Sequence, residues 1–249
     1  MNPIELFEIE VKKNIDNLAL DRDLQDLSNA WVREITPHRY AYNFKWLGRP
    51  IIQCPQDIIA MQELISSVQP DLIIETGIAH GGSLIFYASI LELNAICGGT
   101  QNAEVLGIDI DIRQHNREAI EAHPMFKRIS MIEGSSIAPE IIEQVKVKAQ
   151  GKQKILVCLD SNHTHDHVLA ELEAYAPMTS VGSYCVVFDT IIEDLPDDMF
   201  SDRPWGVGNN PKTAVWEYLK THPEFEIDKT IQHKLLITVA PDGYLKRIH

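Results

Sequence analysis

Three short stretches of this 249-residue chain gather side chains that can bind or move charge. In the first, the apolar run Leu72-Ile73-Ile74 leads into Glu75-Thr76-Gly77-Ile78-Ala79-His80-Gly81-Gly82-Ser83. A buried strand that ends in an acid and turns through glycines into a helix lets the backbone come close to a ligand. The spacing is E-x-G-x-x-x-G-G rather than the G-x-G-x-x-G of dinucleotide sites, and Glu75 would repel a pyrophosphate. The loop suits a cofactor with a cationic amino-acid end, with Glu75, Gly77, His80, Gly81, Gly82 and Ser83 as candidate contacts. A plain tight strand–helix turn would use the same glycines.

The second stretch pairs two acids. Ile155-Leu156-Val157-Cys158-Leu159 delivers Asp160, and Tyr184-Cys185-Val186-Val187-Phe188 delivers Asp189. On parallel neighbouring strands the two tips lie about 5 Å apart. Carboxylates that close repel one another unless a cation or a proton sits between them. Oxygen ligands favour a hard ion such as Mg²⁺, which could bind and acidify a hydroxyl. The plain alternative is a pair of solvated loop acids.

The third stretch is Ser161-Asn162-His163-Thr164-His165-Asp166-His167. It falls one residue short of the H-x-H-x-D-H pattern of metallo-hydrolases, so a metal-dependent hydrolase built on His163-Thr164-His165 is the rival reading. A single histidine beside the metal, His163, acting as general base fits better with the preceding glycine loop. Two weaker cues accompany these. Asp109 and Asp111 end the run Val105 to Ile108, where an acid can accept hydrogen bonds from ribose hydroxyls, although either can instead cap the next helix. Ser135 and Ser136 follow the run Ile129 to Ile132, where an adenine ring would lie.

The elements that must position these residues follow a clear rhythm. After Pro70, short apolar runs alternate with helical segments: Ser83 to Leu93, Arg113 to His123, Pro139 to Lys148, Thr164 to Tyr175 and Pro211 to Lys220. Alternation of this kind predicts a doubly wound, mostly parallel α/β sheet, with Phe225 to Ile227 and Leu235 to Val239 as a closing strand pair. Residues 1–68 read as a helical N-terminal extension, interrupted by an irregular linker from Tyr40 to Gln53 and ending in a helix that starts near Pro55. Residues 69–249 read as the cofactor-binding domain.

Composition narrows the function classes. A net charge of −14 argues against nucleic acid as a partner, because phosphate binding needs a basic surface. No apolar run approaches the length of a membrane span and the N-terminus has no signal pattern, so no membrane partner and a cytoplasmic location are expected. Cys54, Cys97, Cys158 and Cys185 form no C-x-x-C pair, and Cys158 and Cys185 read as buried reduced thiols.

Taken together, these residues resemble the cephalosporin hydroxylase and rhamnosyl O-methyltransferase family. The likeness runs from about residue 40 onward through Trp46-Leu47-Gly48-Arg49-Pro50, the glycine loop, Leu159-Asp160-Ser161-Asn162-His163 and Asp202 to Val215. It implies a Rossmann-like methyltransferase fold and S-adenosylmethionine at the glycine loop, with a divalent ion at the strand-tip acids. It further implies O-methylation of a small hydroxylated acceptor, a sugar or natural product. Many relatives carry a Glu-Asp pair where this chain has Phe188-Asp189, which leaves Glu193 or Asp194 as the candidate third carboxylate. A homo-oligomer is the expected state, and a cofactor-binding scaffold without turnover is the rival outside enzymes.

Overall fold

The computed structural model describes residues 2–249. Two helices, α1 (Pro3–Leu20) and α2 (Arg22–Ile35), lead into a hairpin, β1 (Phe44–Trp46) and β2 (Arg49–Ile51), and then α3 (Pro55–Val68). The alternating part follows as β3 (Leu72–Thr76), α4 (Gly82–Ile96), β4 (Glu104–Asp109), α5 (Gln114–Glu121), β5 (Ile129–Glu133), α6 (Pro139–Ala149), β6 (Ile155–Leu159), α7 (His165–Tyr175) and β7 (Tyr184–Val187). It closes with α8 (Pro211–Tyr218), β8 (Phe225–Ile227), α9 (Lys229–Leu235) and β9 (Tyr244–Arg247).

Seven strands form one sheet in the order β5-β4-β3-β6-β7-β9-β8. The first five are parallel and β9 runs antiparallel to both of its neighbours. The expected doubly wound, mostly parallel sheet is therefore present. Its strands read as continuous apolar runs because helices cover both faces. Side-chain alternation divides the core: Ile73, Val105, Leu156 and Val186 pack toward α3 and α4, while Leu72, Ile74, Leu106 and Val157 pack toward α6, α7 and α8. The winding reverses between β3 and β6, so the loops after those two strands diverge there and leave a crevice at the carboxyl edge.

Two local expectations change. The stretch read as an irregular linker contains a regular hairpin, Phe44↔Ile51 to Trp46↔Arg49. Its two-residue turn puts Leu47 (φ 44) and Gly48 (φ 89) both at positive φ, the geometry that matches strand twist. The sequence signals it only through Gly48. Leu235 to Val239 is not a strand: Leu236 turns at φ 60, and Val239 N and Thr238 Oγ1 donate to Asp57. The closing strand is β9. Helix α3 buries Ile58, Met61 and Ile65 in the same core as the sheet, and Trp46 donates from its indole to Ser89 Oγ of α4 at 2.9 Å. Residues 44–68 thus pack with the sheet, and α1 and α2 extend from it.

Candidate active site

The glycine loop is fixed from three sides. Asp109, at the tip of β4, accepts from Ile78 N (2.8 Å) and Ala79 N (3.2 Å) through one oxygen. Asn116 of α5 donates to Ala79 O at 2.9 Å. Arg49 of β2 donates to His80 O at 3.0 and 2.6 Å and to Asn116 Oδ1 at 3.0 Å. Arg49 and Asn116 were not singled out by sequence reasoning, and Arg49 was visible only as part of Leu47-Gly48-Arg49-Pro50. These bonds hold Ala79 at φ 45, a conformation a non-glycine residue seldom adopts.

The glycines also serve a packing purpose. A Cβ on Gly77 would lie 2.1 Å from Asp160 O, and one on Gly82 would lie 2.1 Å from Pro50 O. Gly77 and Gly82 admit protein backbone: the loop after β6 crosses Gly77, and the end of β2 crosses Gly82. Their role is to press three segments together around the crevice, which places Asp160 directly beside the glycine loop.

Glu75 lies under this loop with no solvent exposure. Ser83 Oγ donates to its Oε2 at 2.8 Å, and its Oε1 has no partner. Burial raises its pKa to about 8 against the opposing pull of Ser83 and the Tyr87 hydroxyl, with Asp109 adding to the rise.

Asp160, His163 and Asp189 come together beside it, with one ligand atom from each lying within 4.8 Å of the others. His163 Nε2 is 3.4 Å from Asp189 Oδ2, and the edge of Trp205 packs on the His163 ring at 4.8 Å between centroids. The sharp turn that aims Asp189 inward puts it at φ 55. Burial first, then the charges of Asp189 and Glu75, hold the Asp160 carboxyl well above its ordinary range. A cation between the acids would relieve that repulsion.

Other sequence candidates lie elsewhere. Glu193 is not the third member of the group; His163 is. The Glu193 carboxylate accepts from Gly208 N at 2.8 Å and from the Asn210 amide, so it ties down the loop before α8. Asp194 is paired with Lys212 at 2.5 Å. Asp111 is exposed beside Arg113, whereas Asp109 has both oxygens on backbone N–H groups. Ser136 is buried and its Oγ meets His167 Nε2 at 3.1 Å; Ser135 is half-buried before α6. The histidine cluster is dispersed: His165 Nδ1 contacts Thr213 Oγ1 of α8 at 2.8 Å, and His167 turns to Ser136 and Ser161. His165 faces Thr213 and Glu217 rather than the group at Asp160, so the hydrolase site read on His163-Thr164-His165 is not formed. All four cysteines are free, with Cys97 exposed and the others buried.

A cavity of about 430 Å³ joins these parts. Gly77, Ser83, Asp160, His163 and Asp189 line its inner part, while Val32 of α2, Tyr40, Tyr42, Arg203 and Trp205 wall its mouth. Among the described residues, no helix is long and apolar enough to cross a membrane.

A glycine loop and strand-tip acids at the switch point of this sheet define a methyltransferase-type fold. Solved structures agree: CmcI with Mg and SAM superposes with a TM-score of 0.57 at 18% identity, covering 84% of this chain and 78% of that one. An O-methyltransferase from Bacillus cereus in complex with SAH gives 0.51 at 14% identity, covering 85% and 90%. The Rhamnosyl O-methyltransferase/CmcI family matches residues 38–248. The rhamnosyl O-methyltransferase of Mycobacterium bovis (strain BCG / Pasteur 1173P2) is 32% identical over 221 residues, covering 84% of this chain and 83% of that protein. That of Mycobacterium leprae is 30% identical over 204 residues. The chain belongs to the rhamnosyl O-methyltransferase/CmcI family of S-adenosylmethionine-dependent O-methyltransferases.

Proposed function

We propose that this protein transfers the methyl group of S-adenosylmethionine to a hydroxyl of a sugar or natural product with the help of a divalent ion, Mg²⁺. The meeting of Asp160, His163 and Asp189 beside the glycine loop in one cavity carries this reading. The donor set fits a cation, because two crowded carboxylates lack a positive partner. Asp160 and Asp189 would hold the ion, which when bound lowers the pKa of a hydroxyl it touches. The unpartnered Glu75 Oε1 fits an ammonium group, so Glu75 and the loop from Gly77 to Ser83 would take the methionine part. Asp109 shapes that loop and Asp111 is free to meet the ribose.

His163 would take the hydroxyl proton. Asp189 orients its ring, and Trp205 limits water on one side. The acceptor would enter between α2, Tyr42 and Trp205, where aromatic faces suit a sugar ring. The N-terminal extension thus supplies part of the acceptor wall. A cytoplasmic location agrees with the free thiols, and a homo-oligomer with the apolar residues Ile4, Phe7 and Ile9 left exposed on α1.

The deciding measurement is single-turnover methyl transfer to a rhamnoside across pH. The wild type should need added Mg²⁺, and chelation should abolish turnover while S-adenosylmethionine still binds. His163→Ala should lose at least about a hundredfold and its acidic limb, as loss of a positioned base does. Retained activity after exhaustive chelation would overturn the metal. A His163→Ala enzyme that loses Mg²⁺ affinity instead would make the histidine a ligand.

A further inference from the structure

Gln53 sits between β2 and α3, only 2% exposed, yet neither its Oε1 nor its Nε2 has a hydrogen-bond partner. A buried amide is normally satisfied, and this one lines the cavity together with Gly77, Ser83 and Asp160. Its position is well fixed. Ile51, two residues earlier, is buried in the core, the Pro50 carbonyl presses against Gly82, and Pro55 opens α3 two residues later. Nearby, Glu75 keeps one free oxygen, and the Tyr87 hydroxyl, one turn beyond Ser83 on α4, lies close to both Gln53 and Glu75 without completing a hydrogen bond to either.

We propose that Gln53 is a cofactor-binding residue that reads the amino-acid end of S-adenosylmethionine. Its Nε2 donates to the cofactor's carboxylate and its Oε1 accepts from the ammonium, with Glu75 and Ser83 completing the subsite. An amide offers both a donor and an acceptor at one point, which a zwitterion needs and an isolated hydroxyl does not. The depth of Gln53 assigns it to the same end, since Tyr42 and Arg203 at the mouth are exposed. The inference rests on the assignment of S-adenosylmethionine to the glycine loop.

Calorimetry with two probes tests it: S-adenosylhomocysteine, which carries the amino-acid end, and methylthioadenosine, which lacks it. Gln53→Met keeps length and removes both polar atoms. It should weaken S-adenosylhomocysteine about tenfold or more, the size of a lost bond to a charged group, and leave methylthioadenosine unchanged. The ligand-free variant should melt no lower than wild type, because an unpartnered buried amide is gone. Should Gln53→Met fail to fold, Gln53→Asn withdraws the same amide by one methylene and is read identically. Unchanged S-adenosylhomocysteine affinity, or equal weakening of both probes with a lower melting point, would overturn the role of Gln53. Failure of the wild type to bind S-adenosylhomocysteine would instead overturn the cofactor assignment.

Discussion

Asp57 and Glu75 are both wholly removed from solvent, on neighbouring parts of the same core, yet their surroundings differ in kind. Asp57 accepts from Thr238 Oγ1 at 2.5 Å, Val239 N at 3.0 Å and Tyr244 Oη at 2.9 Å. Burial raises its pKa only to about 6, because those donors favour the charged form. Glu75 has a single formed hydrogen bond, from Ser83, with the Tyr87 hydroxyl close by also favouring its charged form, and burial raises its pKa further, to about 8. A satisfied buried acid joins segments distant in sequence; an incompletely satisfied one beneath the glycine loop retains an oxygen for another partner. By that measure Asp57 belongs to the scaffold, whereas Glu75, Asp160 and Asp189 are the acids proposed for the site.

The strongest way to break this contrast is to remove Asp57. Asp57→Ala leaves three buried donors without an acceptor and should cost about 4 kcal/mol of stability by urea unfolding. S-adenosylmethionine affinity of the folded fraction should hold. An affinity loss comparable to the stability loss would place Asp57 in the site after all.

Asp160→Asn should do the reverse. With one charge of the crowded pair removed, the ligand-free protein should melt no lower than wild type. Methyl transfer should fall about a hundredfold, or about 2.7 kcal/mol of barrier. Melting curves and single-turnover rates check both halves, and a variant that is less stable but fully active would invert the comparison.

Glu75→Gln sharpens the contrast through pH. The folded pKa lies above the value of 4.5 for a free Glu side chain. The stabilising contribution of the protonated form is therefore complete below about 4.5 and lost as pH rises through about 8. Ligand-free wild type should lose stability across that window, and Glu75→Gln should lose less. The variant should also bind S-adenosylmethionine about tenfold more weakly, having lost the charge that faces the ammonium. Identical pH profiles for the two proteins would remove Glu75 from the argument.

Much of this was readable from residue order. Short continuous apolar runs ending in acids located β3, β6 and β7, and with them Glu75, Asp160 and Asp189, because a strand buried on both faces shows itself in local sequence. What escaped was settled by distant contacts. Nothing near Arg49 in sequence shows that it reaches His80 O, and nothing near Gly77 shows that Asp160 O fills the place of its missing Cβ. Gln53 was hidden for the same reason: its lack of partners exists only once β2 is laid against α4. Leu235 to Val239 looked like a strand because its apolar content is strand-like, whereas the chain turns at Leu236 and then meets Asp57 across the core through Thr238 and Val239.

Glu193 gives the smallest and most selective test. Its carboxylate was expected among the metal ligands, but it accepts from Gly208 N and the Asn210 amide, and Asn210 in turn caps α8 by accepting from Lys212 N at 2.9 Å. That loop begins just past Trp205, which packs on His163. Loosening Glu193 should therefore act on how the mouth is shaped, not on the ion. Glu193→Gln retains one acceptor oxygen and the side-chain length, so the loop should shift without unfolding. Acceptor KM should rise about threefold, the effect of roughly 0.7 kcal/mol from a weakened charge-assisted bond, with Mg²⁺ affinity and kcat unchanged. If Mg²⁺ affinity drops in this variant while KM stays put, Glu193 swings into the site when the ion binds and acts there beside Asp160 and Asp189.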